Sequence, residues 1–254
     1  MDKKTAVSLL VAASLLAGCA SKPDQAQASS AVDNQINDPF EGFNRTMWQF
    51  NYDVLDPYIL RPLAVGWSNT PKPVTSGIRN VLSNLDEPAS AVNYLLQGQP
   101  KEAIVHFNRF WINSTFGLLG LVDVAGAAGM QKENPREFGH VLGHYGVGFG
   151  PYVMVPGYGS FTPRQDIGGL VDSTYVPLAL ITPWGSVAKW ALEGIDSRAN
   201  ALDKDALLRN SPDSYILFRD AYFQNQNFIV SGGQAPTTEN PNAKELNDVI
   251  DEID

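Results

Sequence analysis

Cysteine is all but missing from this chain. Cys19 is the only one in 254 residues, which excludes an internal disulfide framework and any metal centre built on a cysteine cluster. Positive charge is scarce too: 18 Lys and Arg stand against 27 Asp and Glu, a formal net charge of −9. A phosphate-backbone binder needs a basic face, so no nucleic acid partner is expected. Charged residues make up 18% against 44% hydrophobic, a balance that excludes a wholly disordered chain.

Motifs for chemistry are equally thin. There is no G-x-x-x-x-G-K-[ST] and hence no recognisable means of using ATP. Gly157-Tyr158-Gly159-Ser160-Phe161 lacks the closing Gly of a nucleophile elbow. Gly146-x-Gly148-x-Gly150 runs into Pro151 instead of opening a helix, so it is not a dinucleotide fingerprint. His140 and His144 have the i, i+4 spacing of a metal pair, but Val141-Leu142-Gly143 between them carries no Glu. Structural histidines hydrogen-bonded to a turn are the expectation. No catalytic residue, cofactor or metal site is expected, and the chain does not read as an enzyme.

What is present begins at the N-terminus. Lys3 and Lys4 precede an uncharged run of about a dozen residues, too short to cross a ~30 Å hydrocarbon core but suited to a secretory signal. It ends in Leu16-Ala17-Gly18-Cys19, which resembles the lipobox of bacterial lipoproteins. That resemblance implies cleavage before Cys19 and acylation of its thiol and new amine. Each buried methylene contributes ~0.8 kcal/mol, so several acyl (palmitate-class) chains anchor almost permanently. Ala20, not an acid, follows the cysteine, and by the same resemblance this favours the outer membrane. Four segments follow: a signal peptide at 1–18, an acylated N-terminus and tether at 19–37, a folded body at 38–231, and an acidic mobile tail at 232–254. The tether reaches roughly 25 Å.

The body reads as mainly α. Phe40, Phe43, Met47, Phe50 and Val54 fall at helical spacing behind Asp38-Pro39, an N-cap followed by Pro. Further helices are predicted over 57–67, 74–96 (with Pro88 kinking or dividing it), 101–116, 162–172, 177–194, 198–209 and 212–229, and one short strand over 152–155. Residues 110–130 hold one charge, Asp123, and residues 174–192 one, Lys189. Interrupting Gly and Pro disfavour membrane-spanning helices. Two readings stand open: core helices, or aromatic-rich helices embedded in one leaflet. In the second, Trp48, Phe110, Trp111 and Trp184 are interface aromatics, and the acyl anchor favours it. The glycines between 139 and 159 read either as a tight structural loop or as a flexible hairpin.

Several runs together resemble the MlaA/VacJ family of outer-membrane lipoproteins. They are Asp38-Pro39-Phe40-Glu41-Gly42-Phe43-Asn44-Arg45, Leu55-Asp56-Pro57-Tyr58, Asn84-Leu85-Asp86-Glu87-Pro88, Asn93-Tyr94-Leu95-Leu96-Gln97-Gly98, Arg109-Phe110 with Asn113, and Leu142-Gly143-His144-Tyr145-Gly146-Val147-Gly148 to Gly150-Pro151-Tyr152. Many relatives place an acid directly after the equivalent of Arg164, whereas here Gln165 follows. The resemblance implies a monotopic, ring-shaped helical bundle in the periplasmic leaflet, enclosing a central amphipathic channel and binding a trimeric porin. It implies passive removal of misplaced phospholipid from the outer leaflet and delivery to a soluble periplasmic carrier, preserving lipid asymmetry. A charged headgroup is very costly to move through hydrocarbon, so Lys189 becomes the candidate headgroup contact, with snorkelling to the interface as its alternative. Gly146, Gly148 and Gly150 become the candidate gate, expected to tolerate Val without unfolding the body. The rival reading is a scaffold lipoprotein that conducts nothing.

Overall fold

A computed structural model describes residues 36–233. The signal peptide, Cys19, most of the tether and the tail beyond Gly233 lie outside the described residues.

The first helical rod is longer than the sequence suggests. Helix α1 (Glu41–Gln49) continues through a π-helical stretch, Phe50–Leu60, directly into α2 (Arg61–Ser68). Pro57, expected to begin a new helix, sits inside the π stretch, where its missing N–H costs one bond in a ladder already widened. Helix α3 (Lys72–Leu96) likewise runs unbroken through Pro88. Helix α4 (Pro100–Thr115) pairs with α3, followed by the short α5 (Val124–Ala127) and α6 (Phe138–His144). A hairpin of β1 (Val153–Val155) and β2 (Gly159–Phe161) pairs Val153 with Phe161 and Val155 with Gly159. Its second strand, Gly-Ser-Phe, has too little strand propensity to be seen in sequence. Then come α7 (Pro163–Asp172), a 3₁₀ turn at Leu178–Leu180, α8 (Pro183–Asn200), a second 3₁₀ turn, α9 (Asp205–Arg209) and α10 (Ser214–Val230). Helix α8 starts later than expected, after a cis Val176–Pro177 bond, and passes Gly194 to end at Asn200. A single Gly costs a helix only ~1 kcal/mol.

These elements close a circuit. The π stretch packs on α2, α2 on α8, α8 on α3, α3 on α6 and α6 on α10. Trp48 of α1 completes it, donating to Ser214 Oγ at 3.0 Å and packing on Phe218 of α10. Asp196 ties three helices: it accepts from Trp67 of α2 at 2.8 Å and from Arg79 of α3 at 2.9 Å. Asn44 fastens α1 to the hairpin, accepting from Met154 N–H at 2.8 Å and donating to the Tyr152 carbonyl at 3.0 Å.

The amphipathicity runs opposite to that of a water-soluble bundle. Most of the apolar stripe faces outward: Phe40, Phe43, Phe50 and Val54 are exposed and only Met47 packs on the core, while Asn44 and Trp48 are buried. Among the described residues the buried hydrophobic cluster is formed by Trp48, Phe149, Tyr152, Met154, Tyr215 and Phe223. Between α3 and α4 the interior is ionic. Glu87 contacts His106 Nδ1 and accepts from Arg109 Nε at 3.3 Å. Arg109 Nη2 meets both Asp123 oxygens at 2.9 and 3.0 Å, and Nη1 donates to the Met130 carbonyl at 2.8 Å. Asp123 caps α5 through Gly126 N–H and takes a bond from Asn113.

Arg109→Ala leaves Glu87 and Asp123 without their shared cation and is expected to cost ~3–5 kcal/mol. Arg45→Ala removes two exposed pairs, with Glu41 and with Asp213, and is expected to cost about 1 kcal/mol. Denaturant midpoints in detergent check this; equal losses would contradict the buried network's role.

Candidate functional site

A cavity of about 450 Å³ lies among α3, α7, α8 and the segment leading into α6. Its lining mixes the apolar Leu178, Ile181 and Trp190 with the charged Arg136, Lys189, Asp86, Glu137, Asp172 and Glu193. The cavity is therefore amphipathic in the sense expected for a lipid head with its first methylenes.

Each charged group is set by local structure. Lys189 and Glu193 stand one turn apart on α8, and Lys189 Nζ meets Glu193 Oε1 at 2.6 Å and Asp86 Oδ1 of α3 at 3.0 Å. Asp172, the last residue of α7, accepts from Asn93 at 2.7 Å and from Phe138 N–H at 2.8 Å. Arg136 lies over the Tyr94 ring and donates to the Ile229 carbonyl. Burial pushes the Asp86 carboxyl up to about 6, against the opposing pull of Lys189. Desolvation among Asp172, Asp86 and Asp166 pushes Glu137 up to about 7, although the residue as a whole keeps exposed surface. Burial lowers the Lys189 ammonium, but Asp86 and Glu193 outweigh it and leave the group raised. Each raised carboxyl favours the folded state while protonated. That contribution is complete below the ordinary carboxylate range and is lost as pH climbs through about 6 and about 7.

Sequence reasoning singled out Lys189 and missed its company. Glu193 at i+4 was the visible signal; Asp86, Arg136, Glu137 and Asp172 come together only through the packing of α3, α6, α7 and α8. Lys189 is not snorkelling alone, because its ammonium is clasped by two carboxylates.

The candidate glycines do not form the hairpin itself; they lie in the loop that leads into it. Gly146 ends α6 in a Schellman turn at φ +82, with Val147 N–H bonding Leu142 O at 2.9 Å and Gly146 N–H bonding Gly143 O at 3.0 Å. Gly150 has φ +78, and a Cβ there would press on Pro163 at 3.0 Å. Gly148 alone has a negative or extended φ and open space around it.

The interface aromatics separate. Trp48 is corrected: it is 7% exposed and stacks on Tyr52 inside the aromatic cluster. Phe110 is half-buried. Trp111 and Trp184 project outward at 62% and 83% exposure. Near Trp111, Leu118 and Leu119 hold consecutive left-handed conformations, at φ 53 and 58, and are also exposed. Such backbone costs ~1–2 kcal/mol per residue, here fixed by Gly120 N–H on Asn113 O and Val122 N–H on Gly117 O, both at 2.9 Å. No helix among the described residues is long and apolar enough to cross a membrane. His140 is a structural histidine: Nδ1 accepts from Glu137 N–H at 3.0 Å and Nε2 contacts Gln226 at 2.8 Å. Burial lowers its pKa to about 4.

The family described as MlaA lipoprotein matches residues 36–229. The chain is 50% identical over 251 residues, 97% of each chain, to the "Intermembrane phospholipid transport system lipoprotein MlaA" of Escherichia coli K12. It is 46% identical to the protein of that name from Haemophilus influenzae, over 92% of this chain and 93% of the other. A solved structure described as "Structural basis for maintenance of bacterial outer membrane lipid asymmetry" matches with a TM-score of 0.74 and 56% identity, covering 76% of this chain and 99% of that one.

Two outcomes test the site. Carboxyl NMR is expected to give midpoints near 6 for Asp86 and near 7 for Glu137, and Lys189→Met should move the Asp86 midpoint upward; an unmoved midpoint would contradict the ion pair. Gly148→Val is expected to leave thermal stability unchanged, whereas Gly146→Val and Gly150→Val should each lose ~1–2 kcal/mol through left-handed strain. Equal melting temperatures for all three would contradict that geometry.

Proposed function

Because the chain belongs to the MlaA lipoprotein family, we propose that it removes misplaced phospholipid from the outer leaflet of the outer membrane and passes it, without energy input, to a soluble periplasmic carrier. In this reading acylated Cys19 anchors it, a trimeric porin holds it laterally, and the closed circuit of helices forms a ring in the periplasmic leaflet. The observation that carries the reading is the inverted polarity. Large apolar residues on α4 and the following loop face out, as hydrocarbon requires, while Glu87, Arg109, Arg136 and Asp172 are buried and a cavity lined by both apolar and charged residues lies inside. Water in that cavity lowers the cost of moving a charged headgroup past the hydrocarbon.

Lys189 supplies the phosphate contact. Two of its three N–H donors go to Asp86 and Glu193, leaving the third for a headgroup oxygen. The surrounding carboxylates suit the ammonium of a zwitterionic lipid. The relatives are named as transport lipoproteins, and conduction without bond cleavage fits the absence of a nucleophile motif from the sequence.

The experiment is transfer of fluorescent phosphatidylethanolamine from proteoliposomes carrying the acylated full chain to a soluble acceptor, with product analysis for lysolipid. Wild type is expected to exceed protein-free vesicles, with no lysolipid. Lys189→Met should slow transfer about 10- to 100-fold, matching a charge-assisted hydrogen bond of ~1.5–3 kcal/mol. A wild-type rate equal to that of empty vesicles would favour a scaffold, and lysolipid would favour an enzyme.

A further inference from the structure

A second cavity, of about 510 Å³, opens between the glycine loop, the start of α7 and the last turn of α10. Its one charged lining residue is Arg164, which is only 7% exposed. Nη1 donates to the Val147 carbonyl at 3.1 Å, and the guanidinium lies 3.6 Å from the centre of the Phe149 ring. Among the described residues Nε and Nη2 have no hydrogen-bond partner, and no carboxylate acts on the guanidinium. Asp166, two residues on, is committed to Thr162 N–H at 2.6 Å and to the Tyr158 hydroxyl at 2.5 Å. Arg109, buried to a similar degree, holds two carboxylates, so the contrast lies in the partner and not in the burial.

A buried cation with unused donors is costly. Burial lowers the Arg164 guanidinium to about 10, which marks the charged form as under-supported. What surrounds it is suited to an incoming oxyanion. Asn37 and Asn227 line the same cavity, side-chain amides can donate to oxygen, and no acid is among the lining residues. A guanidinium's planar donors match phosphate oxygens. Val147 and Phe149, which contact the guanidinium through a hydrogen bond and a ring face, sit between Gly146, Gly148 and Gly150, where glycine lowers the steric cost of a backbone change.

We propose that Arg164, with Asn37 and Asn227, forms a second anion site that binds a phosphate group, separate from the Lys189 cavity and opened by displacement of residues 147–149. The site goes beyond the conduction reading, since it stands whether the phosphate arrives on a lipid head or as the free anion.

The test is isothermal titration of the full chain in maltoside detergent with two probes, inorganic phosphate and dihexanoyl-phosphatidylglycerol. Wild type is expected to bind at least one, and Arg164→Gln to bind it at least 10-fold more weakly. Binding of inorganic phosphate marks a free-anion site; binding of the short-chain lipid alone marks a headgroup site. Asn227→Asp supplies an internal carboxylate to Arg164 and should abolish binding at an unchanged or raised melting temperature, which separates loss of the site from loss of the fold. Failure of both probes to bind wild type, or wild-type affinity in both variants, would overturn the proposal. Either failure with lipid transfer intact overturns this site alone and leaves conduction standing.

Discussion

Arg109 holds Glu87, Asp123 and the Met130 carbonyl within one guanidinium's reach, inside the α3–α4 pair. The loop beyond α4 depends on that grip. Asp123 and Asn113 organise the turn that carries Leu118 and Leu119 outward in strained, left-handed conformations. An isolated buried charge would be prohibitive, but here each formal charge has an opposite partner and several hydrogen bonds. The interior can then be polar, which frees the apolar side chains of α4 to cover the outside.

The same exchange recurs around the first cavity. Lys189 is clasped by Asp86 and Glu193, and Asp172 is held by Asn93 and the start of α6. These contacts join α8 to α3 and α7 to α6, so the groups that line the cavity also hold its walls together. Burial, with neighbouring carboxylates adding to it, raises the Asp86 and Glu137 pKa values and makes the charge of the cavity sensitive to pH close to neutrality.

Much of the helical content was legible from spacing, because Pro, Gly and Asp mark most helix starts and the apolar period is regular. Its orientation was not. Phe40, Phe43, Phe50 and Val54 form a helical stripe in any solvent, and periodicity does not say whether hydrocarbon lies inside the protein or around it. Trp48 was misplaced for the same reason: an indole suits a membrane interface or a packed core equally, and only Ser214 and Phe218 on the distant α10 decide for the core. Lys189 was visible because it interrupts an apolar run. Its partner Asp86 was not, since 103 residues separate them. Pro57 failed as a helix boundary because the widened π stretch absorbs its missing donor. Arg164 carried only a faint signal, the Gln165 that follows it where many relatives have an acid.

The inverted polarity is tested most directly by spin labels introduced at Phe107→Cys, Trp111→Cys, Leu119→Cys and Ser186→Cys, with the full chain in bilayers. Power saturation compares access to oxygen, which concentrates in hydrocarbon, with access to a water-soluble nickel chelate. Labels at 107, 111 and 119 should favour oxygen, and the label at 186, in the cavity wall, should favour the chelate. Chelate access at the three outer positions, or a dry label at 186, would contradict a lipid-facing exterior around a hydrated interior.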